Sequence, residues 1–217
     1  MLRGKRPALA KSIFRIVQLP DGNRGAALSF FQHNPLVVIW FFFGFFWMLP
    51  GIFGKRTIQK QTSRSRFLQL ALLVGTYVLM AVPDLGWGLL NQPVVPTGRT
   101  ASAVGYGLLL AGLSFAGWAR IFLGGNWSSN VTLKKDHTLV RSGPYRIVRH
   151  PIYTGLLVAL LGTAIALGPL RCFLGVLLAA VAWKIKSITE EQFMVQQFGD
   201  QYTRYRTQVK ALVPYIW

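Results

Sequence analysis

The feature that most constrains this chain is the alternation of long apolar blocks with short basic loops. Apolar runs occupy Pro35 to Phe53, Phe67 to Val82, Ala101 to Phe122, Ile152 to Leu167 and Leu170 to Ile188. A hydrocarbon core of ~30 Å asks for about 20 apolar residues in a helix, and these runs lie near that length. With 52% hydrophobic residues in 217, arranged in blocks, the chain is too apolar for an ordinary soluble domain. The expected fold is an all-α integral membrane protein of about five transmembrane helices. Gly168-Pro169 makes a tight turn, so the last two spans form a C-terminal helical hairpin.

Charge assigns the partners and the sides. The net charge is +18, from 24 Lys and Arg against 6 Asp and Glu. The bases flank apolar blocks and form no free basic domain. They point to membrane lipid headgroups as partner, and away from nucleic acid. Beyond Asn34, every base but Arg99 and Arg171 lies in the loops after the first and third spans, in helix ends beside them, or in the C-terminal tail. The positive-inside rule puts those segments in the cytoplasm. Five spans then place the basic arm, residues 1–34, outside, in conflict with its own six bases. Within that arm Ser12 to Leu19 reads either as an amphipathic segment on lipid or as a disordered leader. Residues 35–217 form the membrane domain. Cys172 is alone, which excludes an intrachain disulfide, and no Cys/His cluster suggests a metal. No signal-peptide cleavage pattern follows the basic start.

The chemistry is concentrated in H-T-L-V-R-S-G-P-Y-R-I-V-R-H-P-I-Y-T-G, His137 to Gly155, between the third and fourth spans. Pro151 suits the first turn of the fourth helix, whose N-terminus attracts an anion. Gly143-Pro144 is a turn that lets backbone approach a ligand. Tyr145 and Tyr153 suit stacking on a purine or cation–π enclosure of a sulfonium. A basic juxtamembrane loop that merely holds lipid phosphates fits the same composition. Glu190 and Glu191 adjoin at the end of the fifth span, where carboxylates are costly unless paired or functional. Lys186 lies one turn before Glu190, so a salt-bridged helix end is the plain alternative. Phe193, Val195, Phe198, Tyr202 and Tyr205 follow at spacings of an amphipathic helix along the interface, with Gly199 its weak point. Asn126-Trp127-Ser128-Ser129 either adds polar groups to the site or anchors at the interface. His33, without a sequence partner, reads as interfacial. Small residues of the third span (Gly105, Gly107, Ala111, Gly112, Ser114, Ala116, Gly117) allow close helix approach and would support a dimer.

The central segment, followed by E-E-Q-F-M-V-Q-Q-F-G-D-Q-Y-T-R-Y and a closing V-P-Y, resembles the isoprenylcysteine carboxyl methyltransferase family. That family sits within a wider group of integral-membrane methyltransferases that includes phospholipid N-methyltransferases. The resemblance covers about residues 120–215. Its motif, G-P-Y-R-x-x-R-H-P-x-Y-x-G plus the glutamate pair, is long and specific. It implies S-adenosylmethionine as methyl donor and a lipophilic acceptor at the membrane–cytosol interface, such as a prenylcysteine-like carboxylate. It also implies that His137, Leu139, Val140, Gly143, Tyr145, His150, Tyr153, Glu190 and Glu191 line the donor pocket. Members often carry an arginine one turn before the glutamate pair. Here it is Lys186, which lacks the bidentate fork. Arg149 or Arg146 would serve in place of that arginine, and Glu190, Arg149 and Lys186 are the residues expected at the reacting groups. Two other readings remain at this point. One is an NADPH-dependent reductase related to sterol reductases, which share an R-H-P-x-Y segment and a closing P-Y. The other is a non-enzymatic protein that binds anionic lipid.

Overall fold

The computed structural model describes residues 35–48, 57–60, 63–82, 86, 88–96, 98–124, 132–134 and 139–213. The basic arm, the Asn126–Ser129 stretch, His33, His137 and the closing Pro214-Tyr215 lie outside these residues. The chain divides into two compact units, residues 1–49 and 50–217. The first unit contributes α1, Pro35–Met48, which is apolar all round and has no buried residue.

The second unit holds β1 (Thr57–Lys60), α2 (Ser63–Ala81), α3 (Arg99–Leu123), β2 (Thr132–Lys134), α4 (Pro151–Leu167), α5 (Leu170–Phe198) and α6 (Asp200–Gln208). Two 3-10 turns, Gly88–Asn91 and Gly143–Arg146, link them. Neighbours pack in the order α2, α5, α4, α3. All three contacts are antiparallel, as Thr76 to Gly175, Tyr153 to Glu190 and Gly112 to Gly155 show. The short β1–β2 pair is antiparallel, with Thr57 opposite Lys134 and Lys60 opposite Thr132. It adds two strands to a fold read as wholly helical. It also ties the loop after α1 to the loop after α3, so both lie at one end of the bundle. At the other end Val94 N–H donates to the Gly168 carbonyl (3.0 Å) and Leu170 N–H to the Gln92 carbonyl (3.0 Å). Arg171 is buried there. It donates from Nε to Asn91 Oδ1 (2.8 Å) and from Nη1 to the Leu79 and Met80 carbonyls at the end of α2. A cation is well placed on carbonyls that a helix end leaves without intrahelical partners.

Among the described residues two helices, α3 and α5, are long and apolar enough to cross a membrane. α1, α2 and α4 are apolar but shorter. At 1.5 Å per residue, the 17 residues of α4 reach about 25 Å. Large apolar side chains such as Leu110, Trp118, Ile121 and Leu177 face outward from the long helices, as contact with lipid requires.

Small residues join α3 to α4. A Cβ on Gly112 would lie 2.5 Å from the Gly155 carbonyl oxygen, and one on Gly162 would lie 2.5 Å from that of Gly105. Backbone meets backbone here, and any side chain would part the helices. Gly105 and Gly112 are therefore used within the chain, while Gly107, Ala111 and Ser114 of the same helix are exposed. Gly112→Leu is expected to destabilise the fold by at least the ~1–3 kcal/mol of ordinary overpacking. Thermal unfolding in detergent reads this as a clear drop in Tm against Gly107→Leu, since a Cβ at Gly107 meets nothing within 4 Å.

The expectation of one amphipathic helix from Phe193 to Tyr205 is corrected. α5 runs unbroken through the glutamate pair to Phe198, and Gly199 at φ 51° separates it from α6. That left-handed φ suits glycine and turns the chain back. Tyr202 and Tyr205 then face inward and are buried.

Candidate active site

The site is built where α4 begins and α5 ends. Pro151 occupies the first turn of α4, and His150 is its N-cap residue. The segment before it is held from two sides. Gly143 takes φ +58°, and a Cβ there would lie 2.7 Å from the Phe122 ring. Its backbone thus approaches α3. The buried Tyr145 donates from its hydroxyl to the Ala119 carbonyl (3.4 Å), and its own carbonyl accepts from the Tyr205 hydroxyl. Burial, reinforced by the Glu190 charge and by Tyr205, pushes the Tyr145 hydroxyl well above its ordinary pKa. Tyr145 is therefore a neutral bridge between α3 and α6, turned into the protein.

The C-terminal strap runs along the same segment. Arg149 N–H donates to the Lys210 carbonyl (2.8 Å) and His150 N–H to that of Ala211 (3.0 Å). Thr154 Oγ1 donates to the Leu212 carbonyl (2.6 Å).

Glu191 is the hub of a buried ionic cluster. Its Oε1 accepts from Arg149 Nε (2.8 Å), and Arg149 Nη2 lies 2.7 Å away. Arg206 Nε reaches its Oε2 at 3.2 Å. The remaining Arg149 nitrogen, Nη1, donates to the carbonyls of Arg206 and Val209. All three guanidinium nitrogens of Arg149 are thus engaged by the protein itself. Arg149 thus joins the start of α4 to α5 and the C-terminal strap.

Glu190 is placed differently. Tyr153 donates from its hydroxyl to Oε1 (2.6 Å), and His150 Nδ1 lies 3.4 Å from Oε2. No arginine is paired with Glu190 among the described residues, and its side chain is 20% exposed. His150 Nε2 lies 3.1 Å from Glu191 Oε1. Both ring nitrogens therefore face carboxylate oxygens, which accept only, so the doubly protonated imidazolium satisfies both. Burial alone would lower the His150 pKa, but its hydrogen bonds to Glu190 and Glu191 and their charges outweigh that and raise it. The raised value fixes the sign of a pH effect. The stabilisation is fully present below the unfolded value of about 6.5 and is lost as pH rises through the folded one. Tm of the wild type should fall across that window, and the fall should vanish in His150→Gln. An equal slope in the variant would remove His150 as its source.

Lys186 Nζ lies 5.5 Å from the centre of the Tyr153 ring. Tyr153 also stacks on His150 (5.5 Å, 10° between planes) and on Trp183 (5.9 Å, 2°). The Tyr153 ring thus lies among His150, Trp183 and Lys186. Leu139 and Val140 are half-buried just before the Gly143 turn, and Arg146 is exposed. The structure therefore gathers Arg149, His150, Tyr153, Lys186, Glu190 and Glu191 into one cluster. Gly143 and Tyr145 support it from behind. Sequence reasoning missed Arg206, Thr154 and Trp183. Trp183 had a signal, since it precedes Glu190 by seven residues and shares its helix face. Arg206 had none, because the break at Gly199 decides its direction.

Fold and site together define an integral-membrane helical protein with a carboxylate–histidine site at one end of its bundle. Comparison narrows that class. Residues 100–201 match the sequence model of the phospholipid methyltransferase family. The protein-S-isoprenylcysteine O-methyltransferase of Schizosaccharomyces pombe is 40% identical over 115 residues, covering 51% of this chain and 48% of that protein. That of Xenopus laevis is 33% identical over 118 residues, 53% of this chain and 41% of the other. The chain thus spans about half the length of the curated relatives it matches. A solved eukaryotic intramembrane Ras methyltransferase, isoprenylcysteine carboxyl methyltransferase, shares the fold at a TM-score of 0.51 and 24% identity, over 73% of this chain and 55% of that one. Over its C-terminal half the chain is thus similar to the isoprenylcysteine carboxyl methyltransferases, within a region matched by the phospholipid methyltransferase model.

Proposed function

We propose that this chain is an S-adenosylmethionine-dependent methyltransferase acting on a lipophilic acceptor at the membrane–cytosol interface, with a prenylcysteine-like carboxylate as the acceptor group. The observation that carries this reading is the contrast within the glutamate pair. Glu191 is consumed by two arginines and His150, while Glu190 is oriented by Tyr153 and His150 and keeps an exposed edge.

When bound, S-adenosylmethionine supplies a methyl group on a sulfonium sulfur. The residues present suit its amino-acid end. Glu190 offers a preorganised carboxylate to an ammonium, and the basic Arg141–Arg149 segment offers positive charge to a carboxylate. An ionised acceptor carboxylate needs no base, so the protein's task is alignment and exclusion of water. Lys186, one turn before Glu190 and on the Tyr153 ring, is the point charge suited to hold the acceptor. The site lies at the basic end of the bundle, which we assign to the cytoplasm by the positive-inside rule, with all five apolar helices in the membrane. A lipophilic acceptor enters between helices while the donor arrives from water.

Titration calorimetry of the detergent-purified protein with S-adenosylhomocysteine, beside NADPH, tests the class. Binding of the homocysteine compound with no response to NADPH supports it. The reverse result moves the chain to the reductases. Methyl incorporation into an S-prenylcysteine, but not into its C-terminal amide, tests the acceptor.

A further inference from the structure

The cluster contains a ring that the ionic network does not explain. His150, Tyr153 and Trp183 form a ladder of nearly parallel rings, at 5.5 Å and 10° for the first pair and 5.9 Å and 2° for the second. Two rungs touch the reacting end of the site. Tyr153 reaches Glu190 Oε1 (2.6 Å) and His150 Nδ1 faces Glu190 Oε2 (3.4 Å). Both oxygens of the glutamate are thus held from adjacent rungs on α4. The third rung belongs to α5, the helix that carries Glu190, two turns before it. Lys186 stands between Trp183 and Glu190 in sequence and sits over the same Tyr153 ring at 5.5 Å.

A phenol on the first turn of a helix has freedom in both χ angles unless its ring plane is fixed. Here the plane decides whether the hydroxyl points at Glu190. His150 limits it from α4 itself, but a neighbour three residues away moves with that helix. Trp183 limits it from α5, and so ties the Tyr153 ring to the frame of Glu190. Offset stacking is the favoured aromatic geometry, and an indole offers the largest face for it.

We propose that Trp183 is a positioning residue for the donor site: by stacking on Tyr153 it holds that hydroxyl on Glu190 and so orients the carboxylate that takes the donor's ammonium. This rests on the methyltransferase reading above, for Glu190 has that task in it alone. The role is exerted through the Tyr153 hydroxyl and not through bulk packing.

The test is a double-mutant cycle read by S-adenosylhomocysteine affinity, with Tm recorded for each variant. Trp183→Leu is expected to weaken binding about three- to tenfold, the worth of one aromatic stack. Trp183→Phe, which keeps a flat ring, is expected to stay within about twofold by the same geometry. In the Tyr153→Phe background, Trp183→Leu is expected to cost nothing further, because the hydroxyl it positions is gone. An unchanged affinity in Trp183→Leu overturns the proposal. So does an equal loss with and without the Tyr153 hydroxyl, which would mark a packing role. Should the leucine variant fail to fold, Trp183→Phe decides alone: retention supports the ladder, and a loss as large as that of Tyr153→Phe overturns it. Absence of binding by the wild type would instead overturn the methyltransferase reading itself.

Discussion

Glu191→Ala is expected to unfold the protein's site-bearing end while the neighbouring substitution, Glu190→Gln, leaves it folded. Glu191 is 9% exposed and faces Arg149, His150 and Arg206. Its removal strands the Arg149 guanidinium, 10% exposed, beside a protonated His150 with one carboxylate fewer. Breaking a buried ion pair from one side costs about 3–5 kcal/mol, chiefly through the charge left behind. Arg149 also fastens the carbonyls of Arg206 and Val209, so the loss spreads to α6 and the strap. Detergent melting should show a large fall in Tm for Glu191→Ala and a similar one for Arg149→Ala. The pair Glu191→Ala/Arg149→Leu should recover part of it, since no stranded guanidinium remains. Arg206 is 47% exposed, so Arg206→Ala should cost no more than the ~0–1 kcal/mol of a surface pair. A Glu191→Ala protein that melts with the wild type would refute this role of Glu191.

The second large effect is on binding. Glu190→Gln keeps shape and a hydrogen-bond acceptor for Tyr153 but removes the charge offered to the donor. A charge-assisted hydrogen bond is worth roughly 1.5–3 kcal/mol, so S-adenosylhomocysteine affinity should fall about ten- to a hundredfold. His150 keeps Glu191 at 3.1 Å, which limits the cost to the fold. Calorimetry paired with melting separates the outcomes. Wild-type affinity in Glu190→Gln would remove Glu190 from the donor site. Loss of folding equal to that of Glu191→Ala would dissolve the contrast on which the functional reading stands.

That contrast could not be read from E-E. Adjacent residues on a helix point about 100° apart, and the string does not say which of the two meets Arg149. The antiparallel contact of α4 and α5 decides it, through the turn at Gly168-Pro169. Nor does the string say that Arg149 meets Glu191 and the carbonyls of Arg206 and Val209, all distant in sequence. Nor does the string say which small residues of α3 meet a neighbour in the same chain. A Cβ on Gly112 would lie 2.5 Å from the Gly155 carbonyl oxygen, so that side of α3 packs on α4.

What the sequence determined by itself is what local physics determines. Long apolar blocks require helices, because backbone polar groups in lipid must be satisfied within the segment. Pro151 marks a helix start and Gly168-Pro169 a turn, because each acts on its own backbone. The clustering of His150, Tyr153, Glu190 and Glu191 was legible as well, as scarce polar groups beside apolar spans have few places to meet. The tertiary structure alone decided the division of labour among them. Which carboxylate is spent on arginines, which edge stays open, and which indole lies on Tyr153 depend on the register of α4 against α5. That register shows in contacts between residues distant in sequence, Tyr153 with Glu190 and with Trp183, and no short stretch of sequence carries it.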